Sequence, residues 1–218
     1  IANVVRSVKG VQLLNIDSGK AANRTVLTFV GEPENVLEAA FLLIKKTAEL
    51  IDMSIQKGKH PRFGATDVCP LVPIANISMK ETVIYAHKLG EKVGKELGIS
   101  GYFYEFAAKE EQKKDLTSIR LGEYEGLQEK INKNNWQLDF GPKKYNEQIR
   151  KSGITAIGAR NFLIAYNLNL NSTSVKLASQ IASKIRESGS LVTNKNGETV
   201  RILGKLKAVK AIGWFLED

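Results

Sequence analysis

The feature that most restricts the fold is an alternation of short β-branched runs with longer segments of helical periodicity. Two strand-like runs, Val11–Ile16 and Thr25–Val30, precede residues 36–51, where apolar side chains recur at helical spacing. The same change of period occurs between the strand-like Val68–Ile74 and the helical residues 78–97. Because alternating strands and helices pack in layers, the pattern predicts an α/β or α+β sandwich, a mixed sheet with helices on one or both faces.

Local signals define the ends of these helices. Pro33 stands at a first-turn position, where its missing N–H costs nothing. Ser78 and Glu81 have the spacing of a capping box, and Gly98 follows the last apolar residue of the helix they begin. These signals predict two long helices with defined starts.

The middle of the chain has weaker patterns. Residues 102–104 predict a further strand, and apolar positions over 115–131 predict one helix. The segment 132–152 has few periodic signals. It is expected to form an ordered loop followed by a polar, lysine-rich linker.

The last part predicts a second, smaller piece. Alternation over 162–170, helical spacing over 175–187 and an apolar run over 208–216 predict one βαβ unit. We therefore expect a first subdomain over 1–152 and the beginning of a second over 153–218. A lone βαβ unit leaves sheet edges uncovered, so either the chain is a fragment or a partner completes it.

Charge and cysteine content restrict the class of protein. The net charge of +9, from 32 Lys+Arg against 23 Asp+Glu, favours an anionic partner. The basic residues are scattered and no nucleic-acid-binding motif organises them. An enzyme of polyanionic small molecules would carry the same surplus, and for most of these lysines a solvated basic surface is the preferred interpretation.

The same composition indicates a cytoplasmic, soluble chain. One cysteine, Cys69, excludes an intramolecular disulfide and a cysteine metal cluster, and its apolar strand favours a buried hydrophobe over a nucleophile. No apolar run reaches the length of a membrane span. No secretory signal is visible, and a chain beginning at Ile1 is expected to have lost its original N-terminus.

Of the two histidines, His60 is the candidate for chemistry. It lies in a loop between Gly58 and Gly64, which let backbone approach a ligand closely. Lys59 and Arg62 are near it, and cations favour the neutral imidazole that accepts a proton. Taken from these residues alone, the functional and structural interpretations both stay open. His87, within a helix, is interpreted as structural.

Several motifs resemble those of one family. Residues 58–73, GKHPRFGATDVCPLVP, are similar to the formiminotransferase signature GEHPRMGA-DVCPF-P. Further segments resemble the same family, in order: DSG at 17–19, NRTVLTFVG at 23–31, IDM at 51–53, RLGEYEGL at 120–127, DFGP at 139–142, GARNFLIA at 158–165 and IGWFL at 212–216. Three features depart from its pattern: Lys59 replaces a glutamate, the family's V-P-N-F-S-E-G segment is absent before Ile1, and the chain stops after the IGWFL segment, where members of the family continue through the rest of the second subdomain. The resemblance therefore implies a chain truncated at both ends.

The resemblance implies transfer of the formimino group from N-formimino-L-glutamate to N5 of tetrahydrofolate, with His60 as acid–base catalyst. Tetrahydrofolate is then a co-substrate, carried as mono- or polyglutamyl folate, and no metal is required. It also implies a homodimer, with a cyclodeaminase as a candidate partner. The residues that the resemblance assigns to folate are Gly141, Pro142, Lys143, Lys144, Tyr145, Ser152 and Gly153.

Other loop residues are candidates for substrate contact. Arg62 either binds a substrate carboxylate with its planar fork or pairs with Asp67. Asp17 either orients His60 or holds the attacking amine, with an Asx-turn beside Gly19 as the structural alternative. The remaining substrate-binding candidates are Asn23, Arg24 and Gly64.

Two other functions stay open. Within the same fold the chain could move a formyl group between 5-formyltetrahydrofolate and glutamate. Alternatively, it is a non-catalytic folate-binding remnant.

Overall fold

The two predicted strands near the N-terminus form an antiparallel hairpin. In the computed structural model, which describes residues 1–20 and 22–215, β1 (Val11–Gly19) pairs with β2 (Arg24–Gly31). One face of the hairpin lies on a small apolar cluster between α1 (Ala2–Arg6) and α2 (Pro33–Leu50). The other face is exposed and carries Arg24.

Both long helices begin where the sequence predicts. Pro33 opens α2, and α3 (Met79–Leu97) carries the complete capping box. The Ser78 backbone N–H donates to Glu81 Oε2 at 2.8 Å, and the Glu81 N–H donates to Ser78 Oγ at 3.2 Å. Gly98 ends α3 in the left-handed conformation, with φ of 64°.

A three-stranded parallel sheet forms the centre of the first part of the chain. Its order is β3 (Val68–Leu71), β5 (Thr155–Ala159) and β4 (Gly101–Glu105). β5 was not predicted, although it is the middle strand and is buried throughout. β3 is shorter than predicted and includes Pro70, which an edge strand tolerates because it needs fewer ladder donors.

Helices cover both faces of this sheet. Side chains alternate along β4, so that Phe103 faces α2 and α3, whereas Tyr102 and Tyr104 face the opposite layer. That second layer consists of α4 (Leu116–Arg120), α5 (Leu127–Ile131) and α6 (Glu147–Ser152). The predicted mixed α/β architecture is confirmed.

Two predictions for residues 115–152 are wrong. The single helix over 115–131 is divided into α4 and α5, because Gly122 and Glu123 take left-handed φ values of 88° and 51°. The 3₁₀ turn at Asn134–Trp136 lies in the part predicted as an ordered loop. The predicted linker is wrong, because it contains α6, whose first turn Asn146 caps by accepting from the Ile149 N–H at 2.9 Å.

The chain divides into two compact units, Ile1–Leu163 and Ile164–Asp218. The division falls later than the predicted boundary at 152/153, because β5 completes the sheet of the first unit. The assignment of the two units as family subdomains stays a prediction. In the described residues no helix is both long and apolar enough to cross a membrane.

The predicted βαβ unit is wrong. Its helix is confirmed as α7 (Val175–Ile185), but residues 162–170 pair with no described strand, so no ladder forms there. Residues 208–215 are also irregular, and the last predicted strand residue, Leu216, lies outside the described residues. The second unit instead contains an antiparallel hairpin of β6 (Ser190–Thr193) and β7 (Thr199–Ile202).

Candidate active site

The loop that carries His60 is attached on one side to the tip of the β1–β2 hairpin. Asn23, with φ of 48°, donates from Nδ2 to the Lys57 carbonyl at 2.6 Å and to Gln56 Oε1 at 3.0 Å. A Cβ at Gly58 would lie 2.6 Å from the Ala22 carbonyl oxygen. Gly58 therefore permits close approach to the hairpin backbone, and Asn23 holds the two segments together.

The other side of the loop is attached to the segment that enters β5. The Ile154 N–H donates to the Phe63 carbonyl at 3.0 Å, and Gly64 forms an antiparallel bridge with Gly153. The Phe63 side chain is fully buried in the layer of short helices. Because these contacts lie on both sides of His60, the loop is a fixed part of the scaffold.

Gly64 is required here for packing of backbone against backbone. A Cβ at this position would lie 2.0 Å from the Ile154 carbonyl oxygen, so Gly64→Ala should force the bridge apart. We expect it to lower the free energy of unfolding by about 1–3 kcal/mol, as overpacking does. Chemical denaturation measures this. Gly19→Ala is the control, because its nearest contact would be an ordinary 3.6 Å, and an equal effect of both substitutions would contradict the prediction.

The hydrogen bonds of His60 define its tautomer. Arg24 Nη1 lies 2.6 Å from Nε2, and the Pro61 carbonyl oxygen lies 2.8 Å from Nδ1. A guanidinium only donates and a carbonyl only accepts. Nδ1 therefore carries the proton, and Nε2 presents its lone pair to Arg24.

The surroundings keep this imidazole neutral. Partial burial lowers the pKa of His60 below its ordinary value, and the charges of Arg24 and Arg120 lower it further, against the opposing effects of the Pro61 carbonyl and Asp67. The predicted effect of nearby cations is thus present, but Arg24 and Arg120 supply it in place of Lys59 and Arg62. A neutral imidazole can act as a general base.

A partly buried ion pair lies beside the histidine. Asp67 accepts from Arg120 and from the Phe63 N–H, the latter at 3.0 Å. Burial raises the pKa of the Asp67 carboxyl, and Arg120 opposes this. The predicted alternative pairing of Arg62 with Asp67 is wrong. Arg120 was not a sequence candidate, although it begins the RLGEYEG motif.

Arg62 joins the His60 loop to the turn between α4 and α5. Its guanidinium donates to both oxygens of Glu125, at 2.7 and 2.8 Å, and to Glu123 at 3.2 Å. This pairing lowers the pKa of Glu125 to about 2. Binding of a substrate carboxylate by Arg62 stays a prediction, and it requires displacement of one of these carboxylates.

Asp17 lies on the same face of the hairpin as Arg24. It pairs with Val26 across the strands, and Arg24 is two residues from Val26 on β2, so these side chains share a face. The Asx-turn alternative is wrong, because Asp17 lies inside β1. The hydrogen bonds described for His60 go to Arg24 and Pro61, so an orienting role for Asp17 stays a prediction.

The ends of the candidate folate segment are packed against the scaffold. A Cβ at Gly141 would lie 2.4 Å from the Ile99 carbonyl, and the Pro142 carbonyl accepts from Ser100 Oγ at 2.7 Å. At the other end, the Ser152 hydroxyl is buried and donates to the Gln148 carbonyl at 2.9 Å. These residues position the segment.

The middle of the segment is more accessible. Lys143 and Lys144 are exposed, although the Lys143 ammonium donates to the Leu138 carbonyl at 2.7 Å. Tyr145 is half-buried and packs against the short-helix layer. The two lysines are therefore cations in the middle of the segment that an anionic ligand can reach.

His87 and Cys69, which the sequence predicts to be structural, have structural environments. His87 Nε2 lies 2.8 Å from the Ala107 carbonyl, and its ring packs on Phe103 with centroids 4.4 Å apart. Burial raises the pKa of the Cys69 thiol to about 12, which leaves no thiolate at neutral pH. Within the described residues, no group of three or more metal-ligating side chains comes together.

The sequence matches two family models. One, described as the formiminotransferase domain, N-terminal subdomain, covers residues 1–160, and the other, described as the formiminotransferase domain, covers residues 165–218.

Curated relatives match over nearly the whole chain. The formimidoyltransferase-cyclodeaminase of Gallus gallus is 46% identical over 218 residues, which are 100% of this chain and 38% of the relative. The glutamate formimidoyltransferases of Streptococcus pyogenes and Thermoplasma acidophilum are each 40% identical, over 98% and 100% of this chain and 66% and 67% of their own lengths. The chain thus spans 38% of the first of these relatives.

Proposed function

Because the chain belongs to the formiminotransferase family, we propose that it transfers the formimino group of N-formimino-L-glutamate to N5 of tetrahydrofolate. The observation that supports this most directly is the state of His60. Its imidazole is neutral, is held by contacts on both sides of its loop, and presents an acceptor at Nε2. Such a group suits a reaction in which one proton is removed and later returned.

His60 serves both proton transfers. N5 of the folate attacks the amidine carbon, the N5–C bond forms, and Nε2 takes the N5 proton. The resulting imidazolium then donates its proton to the glutamate nitrogen, and the C–N bond to glutamate breaks. Acid–base catalysis of this kind contributes about 10²–10⁴-fold.

Cations of the His60 site and of the candidate folate segment bind the anionic parts of the substrates. Formiminoglutamate carries two carboxylates, and we assign one of them to Arg24, with Asn23 holding the hairpin tip in place. Lys143 and Lys144 are exposed and suited to the glutamate tail of folate. Asp17, on the face that carries Arg24, is the candidate for the attacking amine.

We further propose that the chain acts as a homodimer in the cytoplasm. Exposed apolar side chains in the second unit, such as Ile164 at 91% and Tyr166 at 79% exposure, support contact with another surface. The name of the Gallus gallus relative supports a cyclodeaminase, fused or separate, as a functional partner.

A coupled spectrophotometric assay tests the proposed activity. Formiminoglutamate with tetrahydrofolate should give turnover, and the reverse pair, 5-formyltetrahydrofolate with glutamate, should react much more slowly. Faster turnover of the formyl pair would instead support the formyltransferase alternative. Folate binding with no turnover of either pair would indicate a non-catalytic folate-binding protein.

A further inference from the structure

The contact between Arg24 and His60 occupies the atom that the proposed mechanism uses. Nε2 of a neutral imidazole has a single lone pair in the ring plane, and Arg24 Nη1 lies 2.6 Å from it. While this hydrogen bond persists, Nε2 cannot take a proton from N5 of folate. The contact therefore has to break in each catalytic cycle.

The surroundings of Arg24 allow its guanidinium to move away from Nε2 of His60. Its side chain is exposed at the first position of β2, and among the described residues no carboxylate forms a salt bridge with it. Arg62 and Arg120, the other guanidinium groups around this loop, already pair with acidic side chains. A carboxylate accepts two parallel hydrogen bonds from a guanidinium and binds it more strongly than a neutral imidazole does.

On the basis of the proposed function, we propose that Arg24 covers the catalytic base, Nε2 of His60, until the substrate displaces it. We call the Arg24 guanidinium in this position the cap. In the free enzyme its guanidinium covers Nε2 of His60. A carboxylate of the amino-acid donor draws the guanidinium away, and Nε2 becomes available to the folate. The base is thus exposed only when a carboxylate-bearing donor is bound, which makes Arg24 a specificity-determining residue.

Several other charged groups surround the imidazole. Arg120 on α4 and Asp67 on the loop both affect His60, in opposite directions, and Lys59 is its neighbour in sequence. Because these groups are unchanged by replacement of Arg24, they are common to every variant compared below.

Histidine NMR on the whole chain tests the cap without turnover, because the protein has two histidines and His87→Asn assigns their signals. With ¹⁵N-labelled histidine at pH 8, the Nε2 resonance of His60 should show a hydrogen-bonded acceptor in the wild type and lose that signature in Arg24→Met. Saturating glutarate should produce the same loss in the wild type. The pKa of His60 should rise in Arg24→Met, since a cation that lowers it has been removed.

Two controls separate the cap from general effects of charge. Lys20→Met removes one positive charge from the same hairpin and should leave the Nε2 resonance unchanged, as should uncharged glutaramide with the wild type. The proposal is wrong if Arg24→Met leaves the resonance unchanged, if glutarate binds without altering it, or if glutarate does not bind. Turnover combined with an Nε2 resonance that glutarate leaves unaltered would overturn the cap but not the proposed function. Displacement of the cap by glutarate without any turnover would overturn the proposed function but not the cap.

Discussion

Replacing His60 by asparagine is expected to lower kcat by about 10²–10⁴-fold, the usual contribution of a general acid–base group. Both KM values should change little, because the lost interaction is made chiefly as the proton moves. Asparagine keeps a polar side chain of similar size, so the loop should keep its contacts through Phe63 and Gly64. Steady-state kinetics with formiminoglutamate and tetrahydrofolate measure the change.

The pH dependence of the wild type belongs to the same prediction. The pKa of His60 is lowered, so the base stays neutral below the ordinary histidine value of about 6.5. The acid limb of kcat/KM should therefore lie below that pH, and activity should be lost as the pH falls through it.

His87→Asn is the matched control and should leave kcat nearly unchanged. If His60→Asn keeps kcat within a few-fold and mainly weakens folate binding, His60 is a ligand contact. The acid–base role would then pass to a carboxylate, with Asp17 the first to test.

The largest effect on stability is expected from replacing Lys113, a buried lysine that pairs with Asp139 of the DFGP segment. Its side chain is 1% exposed, and its ammonium donates to Asp139 Oδ1 at 2.9 Å, to Glu110 at 2.6 Å and to the Gln137 carbonyl at 2.9 Å. Lys113→Met leaves the 6%-exposed Asp139 carboxylate without its cation. We expect a loss of about 3–5 kcal/mol in the free energy of unfolding.

Lys114→Met supplies the comparison, because Lys114 forms an exposed pair with Glu111 and should cost at most about 1 kcal/mol. Adding Asp139→Asn to Lys113→Met removes the unpaired charge and should recover part of the loss. Denaturant melts that give equal costs for Lys113→Met and Lys114→Met would show that the buried pair is unimportant for stability.

Sequence rules for helix ends correctly predicted the elements whose signals lie in neighbouring residues. The capping box at Ser78 and the proline at the start of α2 depend on neighbouring residues, and both helices begin there. β5 was missed because its sequence, TAIGA, is short, contains small residues and has no alternation, as expected for a strand buried on both faces. The division between α4 and α5 depends on a left-handed glutamate, Glu123, which no local pattern marks.

The site was predictable only as far as its loop. The glycines and the family signature identified His60, but the groups that control it come from distant parts of the chain. Arg24 is 36 residues away, and Asp67 pairs with Arg120 across 53 residues. Charge alone could not distinguish Arg24 or Arg120 from the more adjacent Lys59 and Arg62, because only the folded topology determines which cation meets the imidazole.

The anchoring of the His60 loop also has a consequence for how the protein is made. The loop is attached to Asn23 before it, and to Glu123, Glu125 and Ile154 well after it. Contacts between residues so far apart form only after the intervening chain has been brought together. On the ribosome, where the N-terminal part emerges first, the loop cannot take its final shape until synthesis has passed residue 154. The nascent chain therefore lacks the arrangement of the candidate site until most of the first unit has been synthesised.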